Sequence, residues 1–313
     1  MSNLELEKSI NDALIADNEV RKIIPVADSR WGELIIPAKK ENPFKSYKGL
    51  RVVVFGSFLF GYMLFETLKE CEKRYPDRLH IAGLVTDDPV NPEAKISVKK
   101  RIWRLFDTEE KLHIEKIMIE SALSFGVPCY TGEIKIDYFR HLLKIWNPDA
   151  IIVFVFGQLI DAPVINYPPY GIYNFHPSDL AEHHGAGTQP FEDLIARKAD
   201  STKITVHIIT EQIDAGPIVG QSPPIRIKME NGEMPDNTFV IDDKIMASID
   251  NIAAVLISEL IMKKENNQPG IIEKINFEEK LPENFKAKLR ESIKSNIPEN
   301  SIPPLSNDLT FLI

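Results

Sequence analysis

Two continuous apolar stretches stand out along the chain, Leu50 to Phe55 and Ile151 to Phe156, neither with the polar alternation of a half-exposed strand. Runs of this kind belong to strands covered on both faces, as in a parallel sheet. Between them, Gly61 to Cys71, Glu110 to Phe125 and Tyr138 to Trp146 read as helices, with strand-like pieces at Leu79 to Val85 and Val127 to Tyr130 and a turn at Thr86-Asp87-Asp88-Pro89. Beyond them come strands at Gly171 to Asn174 and Ile204 to Ile209, and a helix at Pro190 to Arg197. Ile218 to Ile227 follows as a strand pair broken at Pro223-Pro224, then Asp242 to Met262 as a long amphipathic helix. Strands alternating with helices predict an α/β fold, a Rossmann-like, mostly parallel sheet flanked by helices and joined by right-handed crossovers. A ligand of such a sheet lies at the carboxyl ends of its strands.

The flanks read differently. Residues 1–49 form an N-terminal extension in which Leu4, Ile10, Leu14 and Ile15 recur near helical spacing. Trp31, Leu34, Ile35 and Ile36 then make an apolar patch before the break at Lys39 to Pro43. Lying outside the expected core, that patch predicts packing onto the core or onto a second subunit, and a homodimer is expected. Residues 50–270 are the expected catalytic domain, ended by Gln268-Pro269-Gly270, and 271–313 a tail that mixes Lys and Glu and carries Pro298, Pro303 and Pro304.

The candidate chemistry sits at Asn174-Phe175-His176, followed thirty-eight residues after His176 by Asp214 in Gln212-Ile213-Asp214-Ala215-Gly216-Pro217. Pro177 stops the strand, and in extended backbone Asn174 and His176 leave on one face while Phe175 points to the other. An amide, an imidazole and a carboxylate are the groups needed to polarise a carbonyl, hold an oxyanion and move a proton, so acyl transfer is the leading chemistry. Asp214 alone reads as a turn former before Ala-Gly-Pro; its combination with the other two reverses that. His207, between Val206 and Ile208, reads as a packed or edge histidine and is left out of the catalytic set. His183-His184 lack further ligands at a usual spacing, so no metal site is expected. Gly56-Ser57-Phe58-Leu59-Phe60-Gly61 has too few glycines for a dinucleotide fingerprint and reads as a tight strand-to-helix turn.

Charge and composition narrow the partners. A net charge of −9 and a pI near 5.4 weigh against a large polyanion such as tRNA and favour a small substrate. Two cysteines, Cys71 and Cys129, make no disulfide framework and read as core thiols of a reduced, cytoplasmic compartment. No apolar run approaches the roughly eighteen residues of a membrane span, so neither export nor membrane insertion is expected.

Asn174-Phe175-His176-Pro177-Ser178, the later Gly185, Thr205-Val206-His207, and Asp214-Ala215-Gly216-Pro217-Ile218 with Gln221 resemble, in order and spacing, the folate-dependent formyltransferases. That family includes glycinamide ribonucleotide, methionyl-tRNA and sugar-nucleotide formyltransferases. The resemblance runs from about Leu50 to Gly270. It implies 10-formyltetrahydrofolate as formyl donor, an amine as acceptor, and Asn174, His176 and Asp214 as the catalytic trio. It further implies that Phe154, Phe156, Gly157, Gln158 and Leu159 border the folate pterin, with Gly157 allowing close backbone approach.

The sequence departs from the family where ribonucleotide enzymes carry a Gly-Ser-Asn loop, here Gly56-Ser57-Phe58, and where Ser-Leu-Leu-Pro is usual, here Ser178-Asp179-Leu180-Ala181-Glu182. The tail is also too short and broken for the barrel domain of methionyl-tRNA enzymes. A small-molecule amine, with an amino-sugar nucleotide as first choice, is therefore the expected acceptor. The alternatives are a methionyl-tRNA or ribonucleotide formyltransferase, a 10-formyltetrahydrofolate hydrolase, and a non-catalytic binding module.

Overall fold

The computed structural model describes residues 3–16, 18–26, 29, 32–38, 48–86, 117–187, 190–235 and 239–280. Among these, the strands in chain order are β1 (Lys22–Pro25), β2 (Glu33–Ile36), β3 (Leu50–Gly56), β4 (Leu79–Thr86), β5 (Cys129–Thr131) and β6 (Ala150–Phe154). Then follow β7 (Ile172–His176), β8 (Ser201–Thr202), β9 (Thr205–Ile208), β10 (Ile218–Gln221) and β11 (Ile225–Arg226). Nine of them make one sheet in the order β1-β2-β5-β4-β3-β6-β7-β9-β10, and β8 pairs with β11 in a small second one. The five central strands, β5 to β7 in that order, are parallel, and the pairs at both edges are antiparallel. This is the α/β, mostly parallel architecture that the apolar runs predict.

Strand alternation sorts the core into two layers. Val52, Val54, Ile152, Phe154, Tyr173 and Phe175 face one layer with the helices Phe58–Arg74 and Phe239–Glu265. Val53, Phe55, Ile151, Val153 and Ile172 face the other, with the helices Asn3–Ile15 and Asp137–Trp146. The chain moves from β3 outward through β4 to β5, then returns to the other side of β3 as β6 and β7. The direction of winding thus reverses between β3 and β6, where ligands of open sheets bind. A Cβ on Gly56 would lie 2.9 Å from the Gly61 Cα, so only glycines let the helix Phe58–Arg74 begin this close to the end of β3. This is the tight strand-to-helix turn that the sequence predicts.

Several expectations need correction. Leu34, Ile35 and Ile36 are buried, because β2 pairs with β5 and covers what would be an open sheet edge. Ile10 and Leu14 are buried as well, and their helix packs on Asp137–Trp146, while Leu4 and Ile15 stay exposed. The described part of the apolar patch, Leu34 to Ile36, is therefore core, the first of its two expected placements, and does not supply a homodimer contact. Trp31 and the Lys39–Pro43 break lie outside the described residues, as do Asp87–Pro89, the tail beyond 280 with its three prolines, and the start of the helix expected from Glu110, of which 117–124 is helical.

The long helix spans Phe239–Glu265 and is not amphipathic: Ile245, Ile249, Ile252, Leu256 and Leu260 are buried, and so are Asp250, Asn251, Ala254 and Val255 on other sides. It packs on Phe58–Arg74, and one stretch of it, Lys244–Glu265, is apolar enough to cross a membrane (mean hydropathy 1.7), yet 67% of that window is buried in the protein. The segment after Gly270 also joins the core, with Ile272, Ile275 and Phe277 buried and the Ile275 N–H donating to the Val219 carbonyl at 2.7 Å. Finally, β6 stops at Phe154 instead of reaching Phe156, because Val155 takes φ +51°. Cys71 and Cys129 are buried free thiols, and burial pushes the Cys71 thiol up to about 12.

Candidate active site

Asn174 and His176 share a face of β7, two positions apart near its carboxyl end, as the alternation predicts; Phe175 between them is in the opposite core layer. The next strand in the sheet, β9, runs antiparallel and sets His207 directly opposite Asn174. Asp214 enters from the loop after β9 with φ +52°, a left-handed conformation that aspartate tolerates better than most residues. Its Oδ2 lies 3.2 Å from His176 Nε2 and its Oδ1 lies 3.5 Å from His207 Nε2. The trio read from the sequence does converge.

The groups around it are few and close. His176, 6% exposed, meets the Ser178 Oγ at 2.8 Å through Nδ1 and the Gly187 carbonyl at 3.2 Å through Nε2. The Gly187 N–H donates to Asp214 Oδ2 at 2.8 Å, so one residue contacts both members of the His176–Asp214 pair through its backbone. Burial by itself would raise the Asp214 carboxyl; the contact to His176, together with the Gly187 N–H, outweighs it and holds the group well below the usual carboxylate range. A fixed anion beside an imidazole is an arrangement suited to proton transfer and to stabilising the imidazolium.

The loop carrying Ser178 is itself anchored. Thr205 Oγ1 donates to the Ser178 carbonyl at 2.6 Å and accepts from Gln221 Nε2 at 2.9 Å. Gln221 Nε2 also donates to Asp179 Oδ1 at 2.7 Å, and Lys203 approaches Asp179 Oδ2 to 3.2 Å. Ser178 and Asp179 together therefore fasten their loop to β9 and β10. His183 is exposed and His184 half-buried, and among the described residues no group of three or more His, Cys, Asp or Glu side chains could hold a metal ion.

The residues assigned to the donor lie at and after the end of β6, between the trio's strand β7 and β3. Phe154 is fully buried between Phe60 and Phe175, with ring centroids at 5.0 and 6.2 Å, and so supports the strand end instead of lining a surface. Val155 in the left-handed region is a strained position worth about 1–3 kcal/mol, a kind of outlier that clusters at functional sites. Phe156 is half-buried against Phe55, and Leu159 is 57% exposed. Gln158 turns inward: its Nε2 donates to the Gly132 carbonyl at 2.8 Å and its Oε1 accepts from the Ile134 N–H at 3.2 Å. It holds the loop after β6 against the loop after β5.

Two participants escaped the sequence reading. Gly187 acts through its backbone, for which residue type gives no signal. His207 is packed, as expected, but it also touches Asn174 and Asp214; its facing away from Val206 and Ile208 was the available clue. A cavity of about 960 Å³ lies elsewhere, lined by Arg226, Lys228, Met229, Met234 and Lys244. Its ammonium groups already bind the Ile227 carbonyl and Asp200.

Residues 110–246 match the protein family described as Formyl transferase. The chain is 28% identical over 144 residues to a methionyl-tRNA formyltransferase of Thermotoga neapolitana, an alignment covering 46% of this chain and 42% of that one. It is 32% identical over 143 residues to the methionyl-tRNA formyltransferase of Thermodesulfovibrio yellowstonii, covering 45% and 42%. The chain thus spans less than half the length of these curated relatives. Glycinamide ribonucleotide transformylase 1 from Symbiobacterium toebii has a similar structure, with a TM-score of 0.51 at 18% identity, covering 73% of this chain and 94% of that one. At that identity the likeness is one of fold.

Proposed function

Because residues 110–246 match the formyl transferase family, we propose that the chain is a folate-dependent formyltransferase that transfers the formyl group of 10-formyltetrahydrofolate to an amine of a small molecule. The observation that carries the proposal is the 3.2 Å contact of His176 with Asp214, beside Asn174 on the same strand face. 10-Formyltetrahydrofolate is a substrate here, and the strand end at Val155–Leu159, with half-buried Phe156 and exposed Leu159, offers a flat ring the apolar surface and the nearby backbone it needs.

The amine nitrogen attacks the formyl carbon, the carbonyl oxygen takes up negative charge, and a tetrahedral carbon forms. Asn174 donates an N–H to that oxygen, and protonated His176 supplies a second hydrogen bond. Loss of one such donor raises the barrier by roughly 3 to 4 kcal/mol. Collapse breaks the bond from the formyl carbon to N10, the amine gives up one proton, and N10 gains one. Asp214 keeps His176 oriented and balances its charge while that proton moves. Nδ1 of His176 already meets the Ser178 Oγ, and Nε2 faces both the Gly187 carbonyl and Asp214 Oδ2, so reaching the oxyanion requires one nitrogen to leave its present partners. Holding donor and acceptor together contributes alongside these groups.

The acceptor assignment rests on the net charge of −9, which weighs against a large polyanion. Methionyl-tRNA, the acceptor in the names of the curated relatives, is the competing choice. The test incubates the full chain with 10-formyltetrahydrofolate and amino-sugar nucleotides, glycinamide ribonucleotide or aminoacylated tRNA, and weighs the products by mass spectrometry. A formylated small amine is expected. Formylation of the tRNA alone overturns the small acceptor, formate release alone points to hydrolysis, and no turnover with any acceptor overturns transfer.

A further inference from the structure

We propose that His207 is a positioning residue for this reaction: as a neutral imidazole it accepts a hydrogen bond from the Asn174 amide and fixes which end of that amide meets the substrate. The inference rests on the formyl-transfer reading above, but its geometry is independent of it. His207 and Asn174 are cross-strand partners on β9 and β7, a relation that puts both side chains on one face of the sheet.

The hydrogen bonds determine the tautomer. His207 Nδ1 lies 3.0 Å from the Ile208 carbonyl oxygen, which can only accept, so Nδ1 carries a proton. The other nitrogen, Nε2, has two neighbours, Asn174 Nδ2 at 3.0 Å and Asp214 Oδ1 at 3.5 Å. If Nε2 carries no proton, it accepts from the Asn174 N–H at the shorter, normal distance, and the longer contact to Asp214 is no hydrogen bond. The Asp214 carboxylate is then held by His176 and by the Gly187 N–H. If Nε2 were protonated, it would donate to Asp214, an N–H of Asn174 would face another N–H, and the amide would have to turn over. The proton on His207 and the orientation of Asn174 are one choice.

That choice matters to the chemistry. With one N–H given to His207, the second N–H of the same nitrogen remains for the formyl oxygen. Turning the amide over exchanges its nitrogen and oxygen, and the position that now offers a proton would offer a lone pair to an oxygen becoming negative. Amide orientation and histidine tautomer are set by the surrounding network, here by the Ile208 carbonyl. His207 is 2% exposed, so the pairing is shielded from water.

Two measurements test this. Nitrogen-15 NMR of the imidazoles, with His207→Gln to assign the signal, should show Nδ1 protonated and Nε2 unprotonated in the resting protein; a protonated Nε2 overturns the pairing. Kinetically, His207→Ala should lower kcat by about ten- to a hundredfold with KM for donor and acceptor nearly unchanged. His207→Gln, whose amide oxygen can stand near the Nε2 position, should recover most of that loss. In an Asn174→Ala background His207→Ala should have little further effect, because its action runs through Asn174. Equal losses in both backgrounds, or a glutamine variant no better than alanine while both melt like the wild type, overturn the inference. If the wild type transfers no formyl group, the functional reading fails and the tautomer measurement still decides the pairing.

Discussion

Replacing Gly216 by alanine should disable the site without removing any functional group. An added Cβ would stand 1.7 Å from the Ile208 carbonyl oxygen, whereas ordinary contact begins near 3.4 Å, so the loop and β9 must part by about 1.7 Å. The Ile208 N–H, which donates to the Pro217 carbonyl at 2.9 Å, ties them together one residue further on, and backbone cannot yield as a flexible side chain would. Asp214 lies two residues before the clash, and the Ile208 oxygen is also the acceptor that holds His207 Nδ1 at 3.0 Å. Overpacking of this sort destabilises a protein by about 1–3 kcal/mol. A displacement of the order of 1 Å in a catalytic array lowers the rate by about a hundredfold. Gly216→Ala should therefore melt several degrees lower, still fold, and turn over about a hundredfold more slowly, while binding 5-formyltetrahydrofolate, a stable donor analogue, with nearly wild-type affinity in calorimetry. A folded variant with turnover within about threefold of wild type would refute the argument that this glycine sets the position of Asp214.

Asn174→Ala, His176→Ala and Asp214→Ala should each lower turnover by about a hundredfold or more, with double substitutions well short of additive; near-normal turnover of His176→Ala with the true acceptor would remove the proposed mechanism. Asp214 has a folded-state pKa below its unfolded value, so its stabilising contribution is complete above the ordinary carboxylate pKa of about 4 and is lost as pH falls from there toward the folded value. Melting temperature should thus fall more steeply in that acid range for the wild type than for Asp214→Asn, and parallel curves would mean that the carboxylate is not held ionised. Gln158→Ala removes two hydrogen bonds, each worth about 0.5–1.5 kcal/mol, that pin the loop after β6. Calorimetry should register weaker binding of 5-formyltetrahydrofolate with kcat little changed, and unaltered affinity would detach that loop from the donor.

Local pattern was enough for the elements nearest the site. The apolar runs at β3 and β6 could only be strands covered on both faces, and the one-residue spacing of Asn174 and His176 put them on one face whatever lay beside them. Alternation names a face, however, and never a neighbour. That His207 stands across from Asn174 follows from the antiparallel register of β7 and β9, and the reach of Asp214 to His176 from a left-handed residue in the following loop. The same limit explains the N-terminal segment, whose Leu34, Ile35 and Ile36 looked like a surface patch because their partner strand β5 is distant in sequence. The long helix was misjudged for a related reason: buried Asp250 and Asn251 mimic a polar face until other elements cover them. Periodicity is written in single residues and their near neighbours, whereas strand order, register and burial are properties of contacts that close only when distant segments meet.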